Sequence, residues 1–133
     1  MKKKRLVPFG LHLMVDGYEC SHEVLDNFHV SYDFLNKLPN LLGMKLLTHP
    51  YVIHAQDNGI KDPGGWTGFV VIQESHISVH TFPKRGFVTI DVYSCTQFDA
   101  KKALNYIRKL FKTQNLEYYI QIRGQNYPER NIH

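Results

Sequence analysis

Between Gln73 and Phe87 the chain reads QESHISVHTFPKRGF, which sets Ser75, His76 and His80 within six residues. A hydroxyl close to two imidazoles can serve nucleophilic chemistry or proton transfer. Cys95 adds a thiol twenty residues after Ser75. Taken singly, each residue has an ordinary reading. QESHI is not the G-x-S-x-G elbow of a serine hydrolase. His76 and His80 would share a strand face, but no third ligand follows at a familiar spacing, so no metal site is expected. A lone Cys95 is most simply a small buried apolar side chain.

The elements around these residues decide whether they meet. ISVHTF and FVTIDVY flank PKRG and read as a β-hairpin. If Lys84 and Arg85 form its two-residue loop, Ser75 lies opposite residue 94, next to Cys95. Side chains facing each other in such a ladder sit about 4.5–5.5 Å apart at Cβ. Ser75 and His80 have opposite parity on one strand, so they share a face only if the backbone bends after Ser75.

Upstream, residues 11–18 have the length and apolarity of a strand. Ser21 is placed to cap a helix carrying Leu25, Phe28, Tyr32 and Leu35 at helical spacing, and Pro39 and Gly43 end it. Residues 44–55 read as a second strand region interrupted at Pro50, residues 56–65 as a turn-rich loop, and residues 67–73 as a third strand. Downstream, Asp99 caps a helix with Leu104, Ile107, Leu110 and Phe111 on one stripe, and LEYYIQIR is the last strand. The order β-α-β, meander, α-β predicts a two-layer α/β sandwich: a mainly antiparallel sheet with two helices on one face. The uncovered face must meet solvent or a partner, and its many Ile, Val, Phe and Tyr residues suit a homodimer.

Composition narrows the function classes. The chain has 133 residues, 43% of them hydrophobic, which suits one globular domain. Net charge is +4, much of it in the opening MKKKR, so no dedicated nucleic-acid surface is expected. No run approaches the ~20 apolar residues of a membrane helix. The stretch after MKKKR looks only faintly like a signal segment, with Pro8, His12 and Asp16 breaking it. Two cysteines define no disulfide framework. The expected location is the cytoplasm.

Read together, ESHISVHTFP and GFVTIDVYSC resemble the core of prokaryotic S-adenosylmethionine decarboxylases. That family reads E-S-H-(L/I)-(T/S)-(I/V)-H-T-W-P-E, followed by a strand ending in (T/S)-C. FGLHLMVDGYECSHEVLDN and WTGFVVIQESH resemble its flanking segments, so the likeness spans nearly the whole chain. It implies a proenzyme that cuts itself between Glu74 and Ser75, giving a β chain of residues 1–74 and an α chain of residues 75–133. The Ser75 hydroxyl would attack the Glu74 carbonyl and turn the amide into an ester. β-Elimination would leave dehydroalanine, which hydrolyses to a pyruvoyl group, the only cofactor implied. His80 would handle a proton in processing. Thr67 would stand where the family has an assisting serine, keeping a donor and acceptor. The pyruvoyl ketone would form a Schiff base with the substrate amine and spread the carbanion left by carbon dioxide, as pyridoxal phosphate does elsewhere. Cys95 would return the proton. The product would be the aminopropyl donor for spermidine.

Two departures concern the substrate. Lys84 stands where the family carries a glutamate that accepts hydrogen bonds from the ribose, and an ammonium accepts none. The segment whose phenylalanine stacks on adenine has no clean match in VIHAQDNGIKDPGGW, although Trp66 offers a ring. A pyruvoyl decarboxylase of the same fold acting on arginine or ornithine is the alternative, with Asp57 and Asp62 meeting a cationic side chain. A small RNA-binding α/β module with Tyr118 and Tyr119 as stacking residues is a third reading. It gives Ser75, His80 and Cys95 no joint role.

Overall fold

A computed structural model describes residues 9–61 and 63–128; MKKKR and Asp62 lie outside them. The elements run β1 (Gly10–Tyr18), α1 (His22–Leu25), α2 (Phe28–Leu41), β2 (Tyr51–Ala55), β3 (Gly65–Ile72), β4 (Ser75–Phe82), a 3-10 turn (Pro83–Arg85), β5 (Phe87–Ser94), α3 (Ala100–Phe111) and β6 (Asn115–Arg123). The six strands form one sheet in the order β2-β3-β4-β5-β1-β6, and every pairing is antiparallel.

Alternation along the strands builds the two layers. Leu13, Val15, Val70, Ile72, Ile77, Val79, Val88, Ile90 and Val92 point to one face. There they pack with Phe34, Leu35 and Leu38 of α2 and with Ala103, Leu104, Ile107 and Phe111 of α3 in a single core. The sandwich expected from the sequence is thus present. The opposite face carries His76, Ser78 and His80 of β4, Thr89, Asp91 and Tyr93 of β5, and Thr67 and Phe69 of β3. No helix covers it.

Three local expectations change. The helix starting at Ser21 is two helices: Ser21 makes no side-chain cap, and a new start follows where Asn27 accepts the His29 N–H over 2.9 Å. Asn27 is as good a cap as Ser21, and the backbone follows the one whose side chain reaches a free N–H. Pro39 lies inside α2, which runs on to Leu41. In the last turn proline forfeits one bond only, and its own carbonyl still accepts from Met44. Of residues 44–55 only Tyr51–Ala55 form a strand; before Pro50 the chain makes only an isolated bridge, Leu46 to Ile72. Asp99 caps α3 as expected, accepting from Lys102 N–H over 3.1 Å.

Candidate active site

The β4–β5 register puts Ser75 opposite Ser94 and His80 opposite Thr89. The hairpin arithmetic therefore holds, although the turn is a 3-10 turn closed by Gly86 N–H on the Pro83 carbonyl. On the other side of β4, only Gln73 and Glu74 separate Ile72 from its partner Ser75. Ser75 absorbs the reversal with φ 145°. An L side chain rarely adopts that value, and such strain costs about 1–3 kcal/mol. The strained residue is the one that follows the Glu74–Ser75 peptide bond.

One hydrogen bond holds this junction. The Cys95 N–H donates to the Glu74 carbonyl oxygen over 2.8 Å. That donor polarises the carbonyl and sits where negative charge would develop if a nucleophile added to it. The Glu74 side chain places Oε2 in a buried position with no hydrogen-bond partner in the structure. Cys95 is half-buried at the end of β5, where the chain turns away through a Ser94 Oγ to Thr96 Oγ1 contact of 3.0 Å. Gly10 of β1 closes against it. A Cβ at Gly10 would lie 2.4 Å from the Ser94 carbonyl oxygen and 2.9 Å from the Cys95 Cα, so only glycine lets β1 approach here. The sequence likeness included Gly10 without a role; the clash supplies one.

His80 does not join them. It faces Thr67 on β3, with Nδ1 3.3 Å from Thr67 Oγ1. Both lie on the open face, and five residues of strand separate His80 from Ser75, about 16 Å at ~3.3 Å per residue. Ser75 has the parity of buried Ile77 and Val79, as strand alternation requires, and no bend brings His80 back to it. The neighbour of Ser75 on the open face is His76, whose ring meets Tyr93 edge-on at 5.7 Å. Arg123 stacks over the same tyrosine at 4.7 Å, and His12 Nε2 pairs with Asp91 Oδ1 at 2.8 Å.

Lys84 and Trp66 lie farther still, at the turn end of the hairpin. Lys84 Nζ is 3.9 Å from Asp57 Oδ2, both groups largely in solvent, beside a shallow pocket that also involves His22, Asp26 and His54. Trp66 points to the helix side, donating from Nε1 to the Asp26 carbonyl over 2.9 Å and meeting Phe28 edge-on at 5.4 Å. It ties β3 to the junction of α1 and α2. The single chain thus holds three separate clusters: Glu74, Ser75 and Cys95; Thr67 and His80; Lys84 and Asp57.

Other chemistry is sparse among the described residues. No three His, Cys, Asp or Glu side chains gather as metal ligands, and no helix is long and apolar enough to cross a membrane. Burial pushes the Cys20 thiol up to about 11, so it stays protonated where half-buried Cys95 is accessible.

The chain is similar to known proteins. Residues 11–124 match the family described as S-adenosylmethionine decarboxylase. Among curated relatives, the S-adenosylmethionine decarboxylase proenzyme of Thermosipho melanesiensis is 29% identical, covering 93% of this chain and 94% of its own. That of Thermotoga maritima is 32% identical, covering 92% and 89%. The crystal structure of the adenosylmethionine decarboxylase from Aquifex aeolicus superposes with a TM-score of 0.73 at 28% identity, covering 88% of this chain and 92% of that one. A match over residues 11–124, the stretch that holds nearly all of the sheet and its helices, assigns the protein: the chain belongs to the S-adenosylmethionine decarboxylase family.

Proposed function

We propose that the chain is a self-processing decarboxylase of S-adenosylmethionine. The observation that carries this is the junction at Glu74–Ser75, strained at φ 145° and braced by the Cys95 N–H on the Glu74 carbonyl. In processing, the Ser75 Oγ bonds to the Glu74 carbonyl carbon and the C–N bond breaks, moving the acyl group from nitrogen to oxygen. The amide N–H of Cys95 stabilises the oxyanion on the way. Loss of the Ser75 Hα then expels the Glu74 carboxylate, and hydrolysis releases ammonia and leaves a pyruvoyl group at the head of the α chain. Strain released on cleavage favours the forward direction.

The pyruvoyl group supplies an electron sink for the carbanion left by carbon dioxide. The chain supplies the rest. Cys95, at the same strand end, delivers the proton from its thiol as a general acid. The Ser94–Thr96 contact fixes the backbone that presents it.

His80 and Thr67 serve this junction from a second copy of the chain. A two-fold axis running across the strands, with two open sheet faces stacked, brings the His80 level of one copy over the Ser75 level of the other. Tyr51, Ile53 and Phe69, each about half exposed on that face, give such a homodimer apolar surface to bury. The same axis carries Lys84 and Asp57 towards the partner's junction, where they act on the substrate's far end. Lys84 leaves room for the arginine or ornithine reading, because its ammonium pairs with Asp57 instead of offering a free carboxylate. The cytoplasm is the compartment this reading implies.

Intact mass of the purified protein tests the reading. Wild type is expected as two fragments breaking before Ser75, the second lacking the serine nitrogen, and Ser75→Ala as one chain. A folded wild type that stays whole overturns it. Carbon dioxide release from S-adenosylmethionine, arginine and ornithine then separates the substrates.

A further inference from the structure

Among the described residues, the buried side-chain polar atoms without a hydrogen-bond partner are Ser31 Oγ and Glu74 Oε2. They differ in kind. Ser31 is a neutral hydroxyl on α2, and its unmet hydrogen bond is a modest cost. Glu74 is an acid. A carboxylate oxygen kept from both water and donors is among the costlier groups a fold can bury. No cation in the chain offsets it: the ion pairs among the described residues are His12–Asp91, Lys37–Asp33 and Lys84–Asp57.

The turn leaves this carboxylate little freedom. Glu74 directly precedes Ser75, in the connection between paired Ile72 and Ser75. On one flank the Gln73 N–H donates to the Lys45 carbonyl over 2.9 Å. On the other the Cys95 N–H holds the Glu74 carbonyl over 2.8 Å. The backbone is therefore fixed on both sides. The side chain that leaves it is kept beside the Glu74–Ser75 peptide by its own short tether.

The partner missing from the uncut chain is made by the first step of cutting. When Ser75 Oγ takes over the acyl group, its proton passes to the nitrogen, and the amide nitrogen becomes a free α-amine. Such an amine has a reference pKa of about 7.7–8.0, so at neutral pH it takes a second proton from water. The product is an ammonium with three donors, on the residue next to Glu74. We infer, on the processing reaction proposed above, that the Glu74 side-chain carboxylate receives this ammonium. The ester, and not the amide, then gains the ion pair. An ester is less stable than the amide it replaces, so the acyl shift needs a term that favours its product. A charge-assisted hydrogen bond in a partly buried site supplies one, because it is stronger there than in water. The pair also helps the next step. An ammonium on Cα makes the Ser75 Hα more acidic than a neutral amine would, which eases the elimination that expels the Glu74 α-carboxylate. Hydrolysis of the enamine then removes the nitrogen as ammonium ion and leaves the ketone.

Glu74→Met tests this, since it keeps an unbranched side chain of similar length and removes the carboxylate. Stability and cutting should move in opposite directions. In the Ser75→Ala chain, which cannot cut, adding Glu74→Met removes the unpaired oxygen, and the double variant is expected to melt above Ser75→Ala. A carboxylate that only built the turn would make it melt below. With Ser75 present, Glu74→Met made by cell-free translation is expected to cut about tenfold more slowly than wild type by intact mass, as loss of one partner of a partly buried ion pair requires. Hydroxylamine reports the ester directly, because at neutral pH it opens esters and spares amides. Wild type quenched into it during cutting should yield a β chain ending in a hydroxamate at position 74, and Glu74→Met about tenfold less of it. A Glu74→Met chain that cuts at the wild-type rate, a hydroxamate yield that stays level or rises, or a double variant that melts below Ser75→Ala overturns the inference and leaves the processing reaction standing. A folded wild type that never cuts overturns the processing reaction itself, and the inference with it.

Discussion

The backbone N–H of Cys95 donates to the carbonyl oxygen of Glu74 over 2.8 Å, tying the end of β5 to the peptide just before the strained Ser75. One residue thereby offers two functions. On the proposed reading its amide would serve the carbonyl attacked during cutting, and its thiol the later proton transfer.

The two functions separate by mutation. Cys95→Ala keeps the amide and removes the thiol. The expected outcome is normal cleavage by intact mass and a fall in carbon dioxide release of about 10²–10⁴-fold, the span of a general acid. Equal loss of both would place the thiol in processing. Cys20 serves as the internal control, because its thiol, raised to about 11 by burial, should resist alkylation at pH 8 while Cys95 reacts.

Backbone strain at Ser75 has a thermodynamic signature. Ser75→Gly and Ser75→Ala both lack the hydroxyl and should both remain whole, but only glycine accepts φ 145° without cost. The glycine variant should melt several degrees above the alanine variant, corresponding to about 1–3 kcal/mol. Equal melting temperatures would mean that the junction relaxes freely.

If His80 acts across a pair of chains, cutting can be rescued in trans. His80→Ala expressed alone should stay whole or cut at least tenfold more slowly. Co-expressed with Ser75→Ala, it should be cut, since mixed pairs combine an intact Ser75 with an intact His80. Absence of rescue in demonstrably mixed pairs would remove His80 from the neighbouring junction.

The Lys84–Asp57 pair is mostly solvent-exposed, so it contributes little to folding. Lys84→Glu should therefore leave the melting temperature nearly unchanged while raising kcat/KM for S-adenosylmethionine through a lower KM. A gain on arginine or ornithine instead would favour the smaller substrates.

Much of the hairpin and its flanking helix is legible in the residues themselves. The strand alternation from Ile77 to Phe82 and the Pro83–Gly86 turn are enough to set the β4–β5 register, and with it the approach of Ser75 to Cys95. The apolar stripe of α3 and its Asp99 cap are equally local signals. The split of the first helix is not legible, because Ser21 and Asn27 compete as caps and packing selects between them. Nor is the placement of Trp66. Its ring suits a pocket by type, but its orientation depends on α1, forty residues away in sequence at Asp26.

Periodicity and turn chemistry act over a few residues, so the order of amino acids is enough to dictate the two-layer sandwich, the hairpin register and the reactive residue types. The folded sheet is needed to set Ser75 at a φ of 145°, to present the Cys95 amide to Glu74, and to stand His80 with Thr67 instead of with Ser75. The reason is geometric. A strand fixes its neighbours' spacing locally, but a side chain's partners are set by which strands the sheet order brings beside it.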